Sequence, residues 1–263
     1  MSLRLENLVQ GYGKKTVLND ISFEVPEGKM VAVLGPNGCG KSTLIKTVCK
    51  IIPPKGGRII AEGEDISDID RREFSKIIGY VPQKYAPSDY MQVFDAILIG
   101  RAPYMGWSYS DEDFEAAADA VDEMGIADLI DKDIQDLSGG QIQKVIIARA
   151  IAQKPRYFIL DEPTSALDLR NQLNTLRTMK RIIDKQNAGV LVALHDLNLA
   201  MKFADHVVML KDGKVFAAGA PEEVINEDSI MAVYNVSSEI VEGRGGKYVH
   251  ICEDEQEDYD LAE

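Results

Sequence analysis

The chain has 263 residues, 45% hydrophobic and 27% charged, which suits a soluble globular protein of one large domain or a domain with a subdomain. A net charge of −14 argues against general affinity for nucleic acid or anionic lipid, and no apolar run is long enough to span a membrane. Cys39, Cys49 and Cys252 lack metal or redox spacing, and MSLRLENL lacks an apolar signal core, so a cytoplasmic location with reduced thiols is expected.

Short strand-like runs open the chain: LRLENLVQ, TVLNDISFEV and MVAVLG, separated by the turn signals GYGKK and PEGK. MVAVLG is a continuous apolar run, the pattern of a buried parallel strand. It leads into GPNGCGKST (35–43), after which KSTLIKTVCKII predicts a helix with Leu44, Ile45, Val48 and Ile51 on one stripe. KIIGYVPQ (76–83), YFILDEP (157–163) and VLVALHD (190–196) predict further buried strands. Between 92 and 153 the pattern turns helical, in QVFDAILIGRA, DEDFEAAADAVDEMG and GGQIQKVIIARAIA. This predicts a helical subdomain, about 88–153, inserted in an α/β core that runs from 1 to 250. VVMLKDGKVFAAG (207–219) predicts a hairpin through Asp212-Gly213, and PEEVINEDSIMAVYN a closing helix. Beyond Lys247, the acids Glu253, Asp254, Glu255, Glu257, Asp258, Asp260 and Glu263 meet no Lys or Arg, so 251–263 is expected to be a solvated, disordered tail.

The stretch GPNGCGKST gives up side chains where a polyphosphate would need close wrapping by backbone N–H groups. Gly35, Gly38 and Gly40 permit that approach, and the following helix start adds its positive end. Lys41 would reach the β/γ-phosphates, and Ser42 would place its hydroxyl on Mg²⁺. In YFILDEP, Asp161 is the expected metal partner, and Glu162 stands where a carboxylate could polarise an attacking water. LSGGQ (137–141) precedes a helix and forms a second candidate anion site. Taken singly, His195 reads as a structural histidine, Gln83 as a loop amide and LSGGQ as a helix cap. In this order, with GPNGCGKST and ILDEP, they read as parts of one site.

Together these motifs resemble the ATP-binding cassette (ABC) ATPases, from about Leu3 to Gly219. The resemblance implies a P-loop NTPase core, an N-terminal antiparallel β subdomain and an inserted α-helical subdomain, with ATP and Mg²⁺ as cofactors. It makes Tyr12 the adenine-stacking aromatic and assigns Gly35, Pro36, Asn37, Gly38, Cys39, Gly40, Lys41, Ser42 and Thr43 to ATP binding. Ser42, Gln83 and Asp161 take the metal, while Glu162, His195, Lys41 and Gln83 serve catalysis. Leu137, Ser138, Gly139, Gly140 and Gln141 are the signature, which contacts ATP bound to a second copy, and Asp168 communicates across that homodimer. Lys144 and Cys39 depart from the residues commoner at their positions, at places where the phosphate contacts do not depend on them.

Within the family, VFDAILIGRAPYMGWSYSDED (93–113) is similar to the importer ATPases that serve iron–siderophore, haem and vitamin B12 permeases. That resemblance implies an ATPase subunit on the inner face of the membrane, partnered by a permease and indirectly by a substrate-binding protein, with no nucleic acid. Tyr90, Met91, Tyr104, Met105 and Trp107 either contact the permease or pack the helical subdomain. The alternative is a soluble ABC ATPase of iron–sulfur cluster assembly, which shares the motifs and docks on a soluble scaffold.

Overall fold

A computed structural model describes residues 2–85 and 90–252. Strands β1 (Ser2–Tyr12) and β2 (Lys15–Pro26) pair antiparallel; alternation buries Leu3 and Leu5, and past register shifts in the pairing β2 buries Leu18, Ile21 and Val25. β3 (Met30–Leu34) is buried throughout and leads through the glycine-rich loop to α1 (Lys41–Val48). β4 (Gly56–Ala61) and β5 (Glu64–Asp65) complete a four-stranded sheet of order β2-β1-β4-β5. α2 (Arg71–Ile77) is capped by Asp70, whose carboxylate accepts the Arg72 N–H at 2.9 Å, and is followed directly by β6 (Ile78–Val81).

Helices α3 (Val93–Leu98), α4 (Asp111–Met124) and α5 (Gly139–Ala152) come next, then β7 (Tyr157–Asp161) and the long α6 (Leu169–Gln186). The chain continues through β8 (Gly189–Ala193), α7 (Leu197–Phe203), β9 (His206–Lys211) and β10 (Lys214–Gly219). α8 (Pro221–Val224), α9 (Glu227–Tyr234), β11 (Ser238–Gly243) and β12 (Gly246–Ile251) close the described part.

The second sheet has the order β10-β9-β3-β8-β7-β6, parallel except at its β10 edge. Its central strands β3, β7 and β8 are buried at every position because both faces are covered. Met30, Ala32 and Leu34 point into one cluster with residues of α5 and α6, whereas Val31 and Val33 join α1 and the antiparallel sheet. Phe158 and Leu160 against Tyr157 and Ile159 repeat that division, as do Val190 and Val192 against Leu191 and Ala193.

Several boundaries differ from the expectations. α1 ends at Val48, and Lys50 turns left-handed at φ 54°, so Ile51 leaves the apolar stripe and is 52% exposed. The run 76–83 divides into the end of α2 and the short β6, placing Gln83 in the loop beyond the strand. β8 stops at Ala193, two residues before His195. The single closing helix is two helices, because Ile225 is extended and the Asn226 side chain caps a fresh start by accepting the Ser229 N–H at 2.9 Å. Of the expected acidic tail, Ile251 is the last residue of β12, and 253–263 lie outside the described residues.

The helices between β6 and β7 pack on one another and share one apolar cluster with the second sheet and α6. Phe94 stacks on Phe114 with ring centres 6.3 Å apart, and Tyr109 meets Phe114 edge-on at 6.4 Å. Below them Arg101 is buried, donating from Nε to Asp113 Oδ1 at 2.8 Å and from a terminal nitrogen to the Ala152 carbonyl at 3.1 Å. Its guanidinium also lies 3.9 Å from the Tyr104 ring centre. One cation thus ties the start of α4, the end of α5 and the loop after α3. Asp113→Ala strands that cation, and a loss of about 3–5 kcal/mol in unfolding free energy is expected by chemical denaturation.

Candidate functional site

Four segments leave adjacent parallel strands at the same end of the second sheet. The glycine-rich loop follows β3, His195 follows β8, Asp161 and Glu162 end β7, and Gln83 follows β6. Open α/β sheets bind ligands at the carboxyl ends of their strands, where loops diverge. Here a cleft of about 540 Å³ lies over the loop, bounded by Gln83, Glu162 and His195.

The loop depends on glycine conformations. Gly40 has φ 114° and stands before α1 as its N-cap, and an added Cβ would lie 2.6 Å from the Leu18 side chain. Gly35, at φ 146°, would meet the Leu210 carbonyl at 2.5 Å. The loop is therefore pressed between β2 and β9. Lys41 is buried and folds back on this loop, donating from Nζ to the carbonyls of Gly35 at 2.7 Å and Pro36 at 3.3 Å. Those carbonyls hold the ammonium over the first turn of α1, whose N–H groups have no side-chain cap. Asn37, Gly38, Ser42 and Thr43 line the same cleft, while Cys39 is buried beneath it. Burial raises the Cys39 thiol above its ordinary range, against the lowering effect of Lys41.

Ser42 Oγ donates to Asp161 Oδ1 at 3.0 Å, joining the start of α1 to the end of β7. Burial holds the Asp161 carboxyl above the usual aspartate range, opposed by the Ser42 hydrogen bond and reinforced by neighbouring Glu162. Glu162 is 7% exposed and adopts a left-handed backbone at φ 51°. That turn directs its carboxylate into the cleft, where one oxygen accepts from the Gln83 side-chain amide and the other lies 2.5 Å from His195 Nε2. Ser165 closes the turn, donating from its N–H at 3.2 Å and its hydroxyl at 3.0 Å to the Glu162 carbonyl. The arrangement can hold an anionic chain along the loop and align a water with a carboxylate whose rotation is fixed from two sides.

Other sequence-derived residues lie elsewhere. Tyr12 is half-exposed at the β1–β2 turn and does not line the cleft, although Val17 on the facing strand does. Val17 was not among the expected site residues. The signal for it is Gly40, whose missing side chain makes room for Val17 and Leu18. The 137–141 segment also lies outside this cleft. There Ser138 and Gln141 cap α5 reciprocally, Ser138 Oγ accepting the Gln141 N–H at 3.4 Å and Gln141 Oε1 accepting the Ser138 N–H at 3.0 Å. Leu137 is buried, Gly139 is exposed and Gly140 is partly buried. Asp168 caps α6 through the Asn171 N–H at 2.8 Å, and the neighbouring Leu167 side chain lies 3.4 Å from where a Gly140 Cβ would be.

A larger cleft of about 900 Å³ separates α2 from the helical block, between Phe74 and Tyr80 on one side and Ile99, Pro103 and Arg149 on the other. Arg72 bridges the rim, donating to the carbonyls of Pro103 and Met105, each at 2.8 Å. Of the aromatics and methionines expected near this surface, Met91 packs against the core and Tyr104 lies against Arg101. Met105 is partly buried, whereas Tyr90 is 87% exposed and Trp107 fully exposed. No helix among the described residues is long and apolar enough to cross a membrane.

Comparisons with known proteins agree with this geometry. A family model described as ABC transporter matches residues 18–165. An uncharacterized ABC transporter ATP-binding protein of Methanocaldococcus jannaschii is 44% identical over 245 residues, 93% of this chain and 96% of its own length. The ferric enterobactin transport ATP-binding protein FepC of Escherichia coli is 35% identical over 242 residues, 91% of this chain and 89% of its own length. A solved metal-chelate type ABC transporter in an inward-facing conformation matches with a TM-score of 0.82 at 29% identity, over 95% of this chain and 96% of that one. A dimeric ATP-binding cassette in a post-hydrolysis state with ADP and Pi matches at 0.75 and 26%, over 83% of this chain and 98% of that one.

Proposed function

This chain belongs to the ABC transporter family, and we propose that it powers an importer of an iron–siderophore, haem or cobalamin-type substrate through a separate membrane permease. As a family member it is an ATP-binding subunit with a P-loop NTPase core and couples ATP hydrolysis to transport. The importer reading is supported by the ferric enterobactin relative and the metal-chelate type structural neighbour. The observation that carries the chemistry is the Glu162 carboxylate, held between Gln83 and His195 above the glycine loop.

In this reading Lys41 exchanges its Gly35 and Pro36 carbonyls for β/γ-phosphate oxygens, and the open N–H groups of α1 accept the remaining charge. Glu162 orients and polarises the attacking water, and His195 faces the γ-phosphate beside it. The residues fit Mg²⁺, a hard cation that takes oxygen ligands and retains water. Ser42 and Asp161 already bring a hydroxyl and a carboxylate together, and Gln83 adds an amide oxygen to the same cleft. When bound, Mg²⁺ would neutralise phosphate charge. Tyr12 is free to stack on adenine, its ring standing exposed at the β1–β2 turn.

Because 137–141 does not line its own chain's cleft, the helix start at exposed Gly139 and partly buried Gly140 serves the ATP of a second copy, packed head to tail. The dimeric cassette with ADP and Pi supports such a homodimer. Asp168, at the start of α6 and close to the Gly140 region, would transmit between the two sites. A permease segment would dock at the larger cleft, with Trp107 and Tyr90 as apolar anchors, and keep the subunit on the cytoplasmic face of the membrane. The permease would in turn receive cargo from a substrate-binding protein.

Glu162→Gln is expected to retain ATP binding, slow turnover by about 10²–10⁴-fold, and trap an ATP-dependent dimer on gel filtration. Parental turnover would remove Glu162 from this role. Lys41→Ala is expected to abolish tight ATP binding in a filter or fluorescence titration, and unchanged affinity would count against the phosphate assignment. Pull-down from solubilised membranes should recover a multi-span permease, with Trp107→Ala weakening its capture by about 10-fold or more. Recovery of a soluble scaffold instead would favour cluster assembly.

A further inference from the structure

The end of the described chain is held to the body at several points, through Lys247 on Glu222 at 3.3 Å among others, and on the side of the site by Asn198. Asn198 accepts the Val249 N–H of β12 at 2.7 Å with Oδ1 and donates from Nδ2 to the Val249 carbonyl at 3.2 Å. A side-chain amide thereby imitates the donor–acceptor pair of a neighbouring strand. β12 has few other holds on the body, since Val249 is its one buried residue. The hairpin is also tied to α9, where Glu227 accepts the Ile240 N–H at 3.1 Å.

Asn198 lies in the first turn of α7, three residues after His195. That turn is capped by Asp196, whose Oδ1 accepts the N–H groups of Asn198 at 2.8 Å and Leu199 at 3.1 Å. His195 therefore sits on the two-residue link, Leu194 and His195, between the end of β8 and a cap anchored to α7. Its imidazole is half-exposed and relies on this backbone for aim, because Glu162 is the one charged partner it contacts among the described residues.

We propose that Asn198 is a positioning residue for ATP hydrolysis: by clamping the β11–β12 hairpin to α7, it fixes the α7 start and with it the approach of His195 to Glu162 and the γ-phosphate. This deepens the functional reading above and rests on it. The C-terminal hairpin then acts as a brace on the histidine side of the ATP site, leaving the phosphate loop untouched.

The test is steady-state ATPase kinetics on the full chain with Mg-ATP, for Asn198→Ala, His195→Ala and the double variant, with residual rates followed radiometrically. Asn198→Ala is expected to lower kcat by about 10-fold while KM for ATP stays within about 2-fold, the split expected when aim rather than binding is lost. In the His195→Ala background the same substitution should change the rate by less than about 2-fold, since both act through one group. Asn198→Asp retains the acceptor for the Val249 N–H and should recover part of kcat. Parental kcat in Asn198→Ala would overturn the proposal, as would an undiminished loss when His195 is already absent. If neither Asn198 variant folds, the residue is structural and the proposal falls. Full turnover in His195→Ala would instead sink the functional reading itself.

Discussion

The structure depends on burying a parallel sheet on both faces. β3, β8 and β7 lie side by side with every residue enclosed, and that enclosure fixes their ends at one level. Everything chemically active hangs from those ends. The Ser42–Asp161 bond crosses from the helix after β3 to β7, and the Glu162–His195 contact crosses from β7 to the segment after β8. Such short polar bridges hold at ångström precision only because the apolar strands beneath cannot slide.

The helical block is joined to this frame differently. Its interior is organised around the buried Arg101–Asp113 pair, and its rim is tied to α2 through Arg72. Between block and frame lies a wide cleft. Gln83 enters the ATP site from the same side, just beyond β6, and reaches the Glu162 carboxylate. A force applied at the cleft therefore has a short route to the Glu162 carboxylate, through a loop amide. This is a coupling geometry of packed and hydrogen-bonded parts.

Much of this was legible in the sequence. The continuous apolar runs marked the buried strands, and the loop, DE, Gln83 and His195 segments fell at their ends. The Asp212-Gly213 turn also stands where expected, with Asp212 at φ 48° and Gly213 at φ 74°. Less legible was anything decided by caps. Asn226 and Ser229 interrupt what reads as one amphipathic helix, and Lys50 ends α1 before Ile51. The long α6 passed unnoticed because its apolar residues, among them Leu176, Met179, Ile182 and Ile183, form a narrow stripe within a strongly polar sequence. The C-terminal hairpin is attached through Asn198 by contact between residues 51 apart in sequence. Residues 137–141 do not line their own chain's cleft, so the proposed role for them leaves no other trace within one chain.

The backbone at Glu162 sets turnover against durability. A β-carbon in the left-handed region costs roughly 1–2 kcal/mol, and glycine would relieve it at the expense of the carboxylate. The fold thus retains tension at a single dihedral angle beside its reacting group. Variants selected only for heat resistance would drift toward relaxing that angle and, with Glu162 in its proposed role, would become durable ATP-holding proteins that no longer turn over.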